Sequence, residues 1–491
     1  MRNIMNFRFV SLLLALLTAS GAVSCGSAEG TEDTLSALSS DEAVQEGYAY
    51  PDVNYGGYTF RILNYDTIWA CKMAVDITEQ NGDVLDDTIY ARNRSVEEKL
   101  NFKIEEIRLA APDWSKTGMI IDTMRQSVMA DDDDYDVGYL PLSFGSSILT
   151  EGYLVDLKTM PELSLSEAWW DPVLNNTLTI NGKLYAATSS FHLMGLDLTW
   201  VLLFNKRMMD DLSMDYPYEL VRGGEWTLDK MNEYVSAMAM LNGDDSFAFN
   251  ADGSCVYGIA GHNNAPYVMM IAAQNSFITA GDDGLPAVAE IGDRLYSTVD
   301  KINAVMNVAD GNCLYSKGSS DADAGFYTRL FKDGRAAFLT TELKGALKMR
   351  DMTDDYGILP MPKYDAAQKN YITFASENIC RLTVPITNSD LSRTGVILDA
   401  LSYESSQTVM PVYYDQMLSQ KGLRDEDSIE MLNLIYDNRM TEIGQIFGIT
   451  GTLISALNNM VAAGNNTAAS TVASNQETIK AKLADILSYF K

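Results

Sequence analysis

Histidine is almost missing from this chain: among 491 residues only His192 and His262 occur. With no H-E-x-x-H and no paired C-x-x-C pattern, most zinc-enzyme and histidine-activated nucleophile schemes are excluded. Positive charge is short as well. Thirty-six Lys+Arg stand against 67 Asp+Glu, a formal net charge of −31, and so anionic a surface repels phosphate backbones and anionic lipid. Nucleic acid is therefore excluded as a partner. Cysteine is sparse, and Cys25, Cys71, Cys255, Cys313 and Cys380 stand isolated in sequence; beyond Cys25 the spacing suits buried thiols better than a disulfide framework. The chain also lacks a G-x-S-x-G elbow and a phosphate-cradling glycine loop. It shows no internal repeat, which speaks against an adhesin or scaffold. The acidic run 131–134 lacks the D-x-[DN]-x-[DN]-G order of a calcium loop and reads as a solvated turn. No catalytic set, metal or cofactor is expected.

Apolar residues are not lacking: at 47% they suffice for large cores, and the length calls for two or three structural units. Acids are dispersed and charged residues are only 21%, so the body reads as folded rather than disordered. The one long apolar run, FVSLLLALLTA (9–19), follows Arg2 and Arg8 and precedes small residues up to Ser24. That is the layout of an export signal over residues 1–24. A membrane-spanning helix needs ~18 apolar residues, and Ser20, Gly21 and Ser24 break this run earlier. Residues 25–55 begin with Cys25 and continue as a polar acidic stretch, expected to be a flexible tether.

Beyond residue 55 the elements alternate. YTFRILN (58–64) is a strand, residues 84–100 carry apolar side chains at helical spacing, and FKIEEIRL (102–109) returns to strand. A helix over 115–130 capped by Ser115 and a strand ending at Leu140 complete a strand–helix series that predicts a parallel sheet covered by helices. A second series follows, with strands at 198–204, 256–260, 335–341 and 356–363 and helices at 227–241 and 326–333. Thr373 to Pro385 is extended, residues 391–403 and 428–437 are helical, 465–475 reads as a loop, and 476–491 closes as a helix. INGKLYA (180–186) predicts a hairpin, because Asn181-Gly182 supplies the positive φ that a two-residue turn needs.

Specific strings then occur in a telling order: YDVGYLPLSFGSSILTEGYLVDL (135–157), AWWDP (168–172), INGKLYA, LLFNKRMM (202–209), PYELVRGGEWTLDKM (217–231), DGRAAFLTTELKGALKMRDMTDDYGILPMPKYD (333–365), FASENICRLTVP (374–385) and PVYYDQMLSQKGLRDEDSIEMLNLIYDN (411–438). In that order the chain resembles the extracellular solute-binding proteins of ABC transporters, in the carbohydrate-binding group that includes maltose-binding protein. The resemblance implies an α/β, two-lobed periplasmic-binding-protein-like fold of type II, each lobe a sheet flanked by helices, with a hinge and an interlobe cleft. It implies a first lobe of residues 56–197 with 375–430 and a second of 198–374 with 431–491. Cys25 resembles the lipobox cysteine that carries diacylglycerol, although Ala22 stands where leucine is usual; cleavage after Ser24 without lipid is the alternative. The partners implied are a carbohydrate ligand, permease subunits and the membrane through Cys25, for a protein acting as a monomer outside the cytoplasm.

The same resemblance selects ligand residues. The loop after the third strand contributes Tyr139, Leu140, Ser143 and Phe144. The segment 189–200 offers His192, through one hydrogen bond to a ligand hydroxyl, with Asp197 and Trp200. From the second lobe come Thr341 and Glu342 at a strand end, beside Thr340. Glu377 and Asn378, with Ser376, lie on the returning crossing, and the loop 442–447 brings Gln445 and Phe447. Trp169-Trp170-Asp171 reads as a packing motif and Trp226 as a contact at a helix start. Two functions compete: capture of a carbohydrate without chemistry, and a secreted glycosidase using two carboxylates ~5 to ~9 Å apart.

Overall fold

The computed structural model describes residues 48–67, 73–248, 252–281, 283–307, 310–315, 325–349, 351–418 and 425–491. The export signal, Cys25, most of the tether and Cys71 lie outside the described residues. Of the unit that ends at Val53, residues 48–53 are described, and there the Tyr48 and Tyr50 rings meet edge-on at 4.9 Å. The rest of the chain, from Asn54 onward, forms the second unit.

Thirteen strands are described there: β1 Tyr58–Thr67, β2 Phe102–Ala111, β3 Val137–Leu140, β4 Trp200–Asn205, β5 Tyr257–Gly261, β6 Ile278–Ala280, β7 Pro286–Val288, β8 Cys313–Tyr315, β9 Ala336–Glu342, β10 Tyr356–Leu359, β11 Thr373–Phe374, β12 Arg381–Thr383 and β13 Arg439–Met440. In the first sheet, ordered β12-β3-β1-β2, the strands β1, β2 and β3 are parallel and β12 runs antiparallel to β3. Thr67 lies opposite Ala111, so the carboxyl ends of these strands share one edge.

The helix Val84–Leu100 connects β1 to β2 because Leu85, Ile89, Val96 and Leu100 recur on one buried face. Asp83 caps it by accepting from the Leu85 and Asp86 N–H groups, and Asn101 ends it at φ 52°. The helix expected from Ser115 starts later. Asp113 accepts both the N–H and the hydroxyl of Ser115, which closes a 3-10 turn at Trp114–Lys116; the α-helix proper is Met119–Met129, with Gly118 at its N-cap.

The second sheet, ordered β10-β4-β9-β5-β8, is parallel across β9, β5 and β8 and antiparallel at β4 and β10. Thr227 caps the helix Leu228–Met238, as its sequence predicts. That helix packs closely on β5: a Cβ at Gly258 would stand 2.2 Å from the Val235 carbonyl oxygen, so only glycine fits. Trp226 is fully buried, stacks on Phe338 at 6.0 Å and donates its indole N–H to the Pro360 carbonyl.

Two expectations about the C-terminal third need correction. Residues from Ala468 are helical, in Ala468–Tyr489, because Ala468, Val472, Ile479 and Leu483 share a buried face despite the small-polar composition around them. The helix Glu426–Asp437 packs against β10, so the chain has returned to the second sheet before residue 431.

Three segments cross between the sheets side by side. Thr199 pairs with Ala375, and Ser376 donates its N–H to Leu198. Ala375 donates to Met440, β11 pairs with β13, and the Thr441 hydroxyl donates to the Ala375 carbonyl. The Asn181-Gly182 turn forms as expected: φ is 48° and 77°, and Ile180 and Lys183 exchange backbone hydrogen bonds.

Candidate functional site

Ligands of open α/β sheets sit beyond the carboxyl ends of the parallel strands. At that edge of the first sheet β3 ends at Leu140 and turns through the short 3-10 segment Leu142–Phe144. Here the Ser143 hydroxyl donates to Asn378 Oδ1 at 2.8 Å, tying the first sheet's loop to the crossing after β11. Asn378 Nδ2 in turn donates to Glu377 Oε1 at 3.4 Å. Beside them the Phe144 ring meets Trp114 edge-on at 4.6 Å.

At the matching edge of the second sheet β5 leads into His262 and β9 ends at Glu342, which faces Trp200 at the start of β4. Glu342 pairs with Lys344 at 2.7 Å. The His262 ring lies 6.4 Å from Tyr327 and 6.2 Å from Trp200. His262 Nδ1 accepts the Asn264 N–H at 3.2 Å, which places the proton of the neutral ring on Nε2. Burial pushes its pKa down while Glu342 pulls it up, with burial the larger effect. The ring is therefore a neutral hydrogen-bond donor at ordinary pH.

Carboxylates converge at the crossings. Burial, and then the nearby charge of Glu342, hold the Glu377 carboxyl above its usual range. Below it Glu442 is fully buried and accepts from the N–H groups of Ile278 and Gln445 and from the Thr450 hydroxyl. Burial pushes Glu442 up to about 7 from 4.5, against those hydrogen bonds. The fold thus holds a proton that the unfolded chain releases near 4.5. The stabilisation linked to that proton is whole below about 4.5 and is lost as pH rises through about 7. The stability of Glu442→Gln relative to the wild type should therefore rise by roughly 3 kcal/mol between about pH 4.5 and about pH 7.5. Paired urea titrations at the two pH values check this; a constant difference would contradict it.

The residues expected to hold ligand divide into two sets. Ser143, Phe144, Thr341, Glu342, Glu377 and Asn378 stand at the two sheet edges and the crossing, and Trp200, only 5% exposed, backs them. Gln445 lies on the short helix Ile443–Ile446 beside the Leu142–Phe144 turn. The others need correction. Tyr139 and Leu140 are still inside β3, and both are buried in the first sheet's core. His192 is buried against Tyr139 at 4.6 Å and accepts the Met194 N–H through Nδ1; burial pushes its pKa down to about 4, so the ring is neutral, and its Nε2 has no hydrogen-bond partner, away from the two sheet edges. Asp197 is buried and accepts the Tyr413 hydroxyl. Phe447 packs edge-on against Phe490 at 6.3 Å, next to the Asn181 amide that donates to the Phe490 carbonyl.

Sequence reasoning missed Trp114, His262, Tyr327 and Lys344. The signal for two of them was present: His262 follows directly on a parallel strand and Trp114 comes three residues after one. The solvated reading of the 131–134 run holds, with Asp133 paired to Arg61 at the surface. Among the described residues no group of three or more His, Cys, Asp or Glu is placed to hold a metal. The site instead offers carboxylate and amide acceptors, an imidazole N–H, hydroxyls and aromatic rings. Such a set fits a ligand that is rich in hydroxyl groups and has apolar faces.

No family profile and no curated protein matches the chain. Solved structures do. The GacH receptor of Streptomyces glaucescens, solved unliganded and with acarbose, is 12% identical with a TM-score of 0.54, over 87% of this chain and 99% of that one. A sugar transporter from Rhizobium etli in an open conformation is 15% identical with a TM-score of 0.58, over 87% and 100%. An ABC substrate-binding protein from Listeria monocytogenes in complex with cycloalternan is 12% identical with a TM-score of 0.52, over 88% and 98%. At these identities the likeness is one of fold: the chain has the two-lobed α/β fold of these binding proteins.

Proposed function

We propose that this chain is a solute-binding protein that takes a carbohydrate into the cleft between its two sheets and delivers it to the permease of an ABC transporter. The observation that carries this is the meeting of two ligand edges, Ser143 and Phe144 on one sheet and His262 and Glu342 on the other, at the crossing that bears Glu377 and Asn378. Side chains placed at the ends of two lobes joined by three crossings can close on a solute by hinge motion. The acarbose and cycloalternan held by proteins of this fold support a carbohydrate as the solute.

In this reading the lobes are residues 56–197 with 375 to about 425, and 198–374 with the remainder. The protein acts as a monomer outside the cytoplasm, carries lipid on Cys25, and does no chemistry on its ligand. No helix among the described residues is long and apolar enough to cross a membrane, so the lipid is the proposed anchor. A thermal-shift panel of neutral sugars on residues 26–491 tests the function. A ligand at about 1,000 times its Kd stabilises by ~4 kcal/mol. Failure of every sugar to stabilise, or release of a hydrolysis product in the same tubes, would overturn the reading.

A further inference from the structure

The floor of the proposed cleft has acceptors to spare. Glu342 and Glu377 flank the same stretch of the first crossing: Glu342 faces Trp200 and the Leu343 N–H donates to the Thr199 carbonyl, while Ala375 pairs with Thr199 and the Ser376 N–H donates to the Leu198 carbonyl. Lys344, 2.7 Å from Glu342, supplies one positive charge for the two carboxylates. Arg381 stands behind them in the core, 1% exposed, and its Nη1 and Nη2 donate to the Ile379 carbonyl and the Thr441 hydroxyl. Glu377 accepts from the Ser376 hydroxyl and the Asn378 amide, both at 3.4 Å, outside the ~2.7–3.2 Å of a well-made bond. Three more atoms that can accept are buried without a hydrogen-bond partner: Asn263 Oδ1, next to His262; Asn458 Oδ1, whose Nδ2 reaches Asn264 at 3.4 Å; and Tyr267 Oη. Tyr267 is 2% exposed, its ring meets Phe374 of β11 edge-on at 5.2 Å, and its hydroxyl lies in the field of Glu442 and Glu377.

A half-buried carboxylate with weak donors, beside a second one, is costly in its charged form, and a buried acceptor without a donor costs more again. Both debts are settled by a ligand that brings positive charge and several N–H and O–H donors. We infer that the cleft prefers an amino sugar, whose ammonium lies against the Glu377 and Glu342 carboxylates while its hydroxyls meet the His262 imidazole and the amide oxygens beside it. A hydroxyl in the ammonium's place donates one hydrogen and leaves the repulsion between the carboxylates standing, so a neutral sugar binds more weakly through the same contacts. A uronic acid adds a third negative charge and is rejected. An N-acetylated sugar keeps one N–H and loses the charge, which places it with the neutral sugars. This rests on the function proposed above and deepens it by naming the chemistry of the ligand.

The test is titration calorimetry at neutral pH and low salt on the wild type, Glu377→Gln and Glu342→Gln. The probes are glucose, glucosamine and N-acetylglucosamine with the α1,4- and β1,4-linked trimers of each, so that every amine is compared with the hydroxyl and acetamide sugars of its own shape. In the wild type the amine should bind about tenfold or more tighter than both counterparts. Glu377→Gln keeps the size of the side chain and should cut that preference to within about twofold; Glu342→Gln should reduce it in the same direction. Added salt should erode the preference for the amine more than the binding of the neutral sugar. A wild type that binds the hydroxyl or acetamide sugar as tightly as the amine, or a preference that both variants retain in full, would overturn the inference while leaving carbohydrate capture standing. The comparison within the wild type decides even where a variant fails to fold. Failure of these sugars and of every sugar in the thermal-shift panel would instead remove the functional reading on which the inference rests.

Discussion

Replacing Asp399 by alanine is expected to cost about 3–5 kcal/mol of stability. Its carboxylate is 2% exposed and accepts four hydrogen bonds, from the Ser164 N–H at 2.9 Å, the Ser164 hydroxyl at 3.0 Å, Trp170 Nε1 at 2.6 Å and Trp169 Nε1 at 3.2 Å. The side chain sits on the helix Leu391–Glu404 and gathers a loop more than two hundred residues earlier. Truncation leaves the Trp170 indole N–H buried without its acceptor and opens a void beside the ring. Asp399→Asn keeps one acceptor oxygen and should lose about half as much. Urea unfolding of the three proteins checks the order; an alanine variant within ~1 kcal/mol of the wild type would show that the Trp169-Trp170 loop is held by other contacts.

The second large effect is expected at Asp171→Ala, again about 3–5 kcal/mol. Asp171 and Arg439 form a buried ion pair at 2.8 Å with side chains 8% and 1% exposed. The guanidinium also donates to the carbonyls of Gly195 and Tyr436, so it stitches the third crossing to the first lobe. Taking away the carboxylate strands a buried cation, whereas removing both charges need not cost much. Asp171→Ala combined with Arg439→Met should therefore be more stable than Asp171→Ala alone. A double variant less stable than either single change would contradict this account of the pair.

Asp171 also shows what was legible in the sequence and what was not. Its place in AWWDP marked a packing motif, and the structure agrees: it caps the helix Pro172–Leu178 from a left-handed conformation at φ 47°. Its partner, 268 residues away, left no mark in the pattern. Local signals served well in general. The helix Val84–Leu100, the Thr227 cap and the Asn181-Gly182 turn follow from side-chain chemistry within a few residues. Elements whose limits depend on distant packing were harder. The final helix hides behind Ala, Ser and Thr, which carry little periodic signal.

The site divides in the same way. The resemblance selects Ser143, Glu342, Glu377 and Asn378, and each stands at or shortly beyond the end of a strand. Tyr139 and Leu140 were placed one turn too early, since β3 runs to Leu140 and closes both into the core. His192 and Asp197 looked available as polar residues in a long segment. His192 Nδ1 accepts the Met194 N–H and Asp197 accepts the Tyr413 hydroxyl, and only the tertiary fold brings Tyr413 to Asp197. Trp114 becomes visible once the parallel register sets the carboxyl ends of β2, β1 and β3 along one edge.

The central claim is that the convergent edges hold a carbohydrate. Its most direct test is titration calorimetry of residues 26–491 with neutral oligosaccharides, on the wild type and on Glu342→Ala and Asn378→Ala. These are half-buried side chains whose loss should leave unfolding stability within ~1 kcal/mol. The account predicts that the wild type binds at least one of these sugars and that each substitution weakens that binding about tenfold or more, the scale of one lost charged or amide hydrogen bond. A wild type that binds a sugar with the same affinity as both variants would place the ligand elsewhere and contradict the claim.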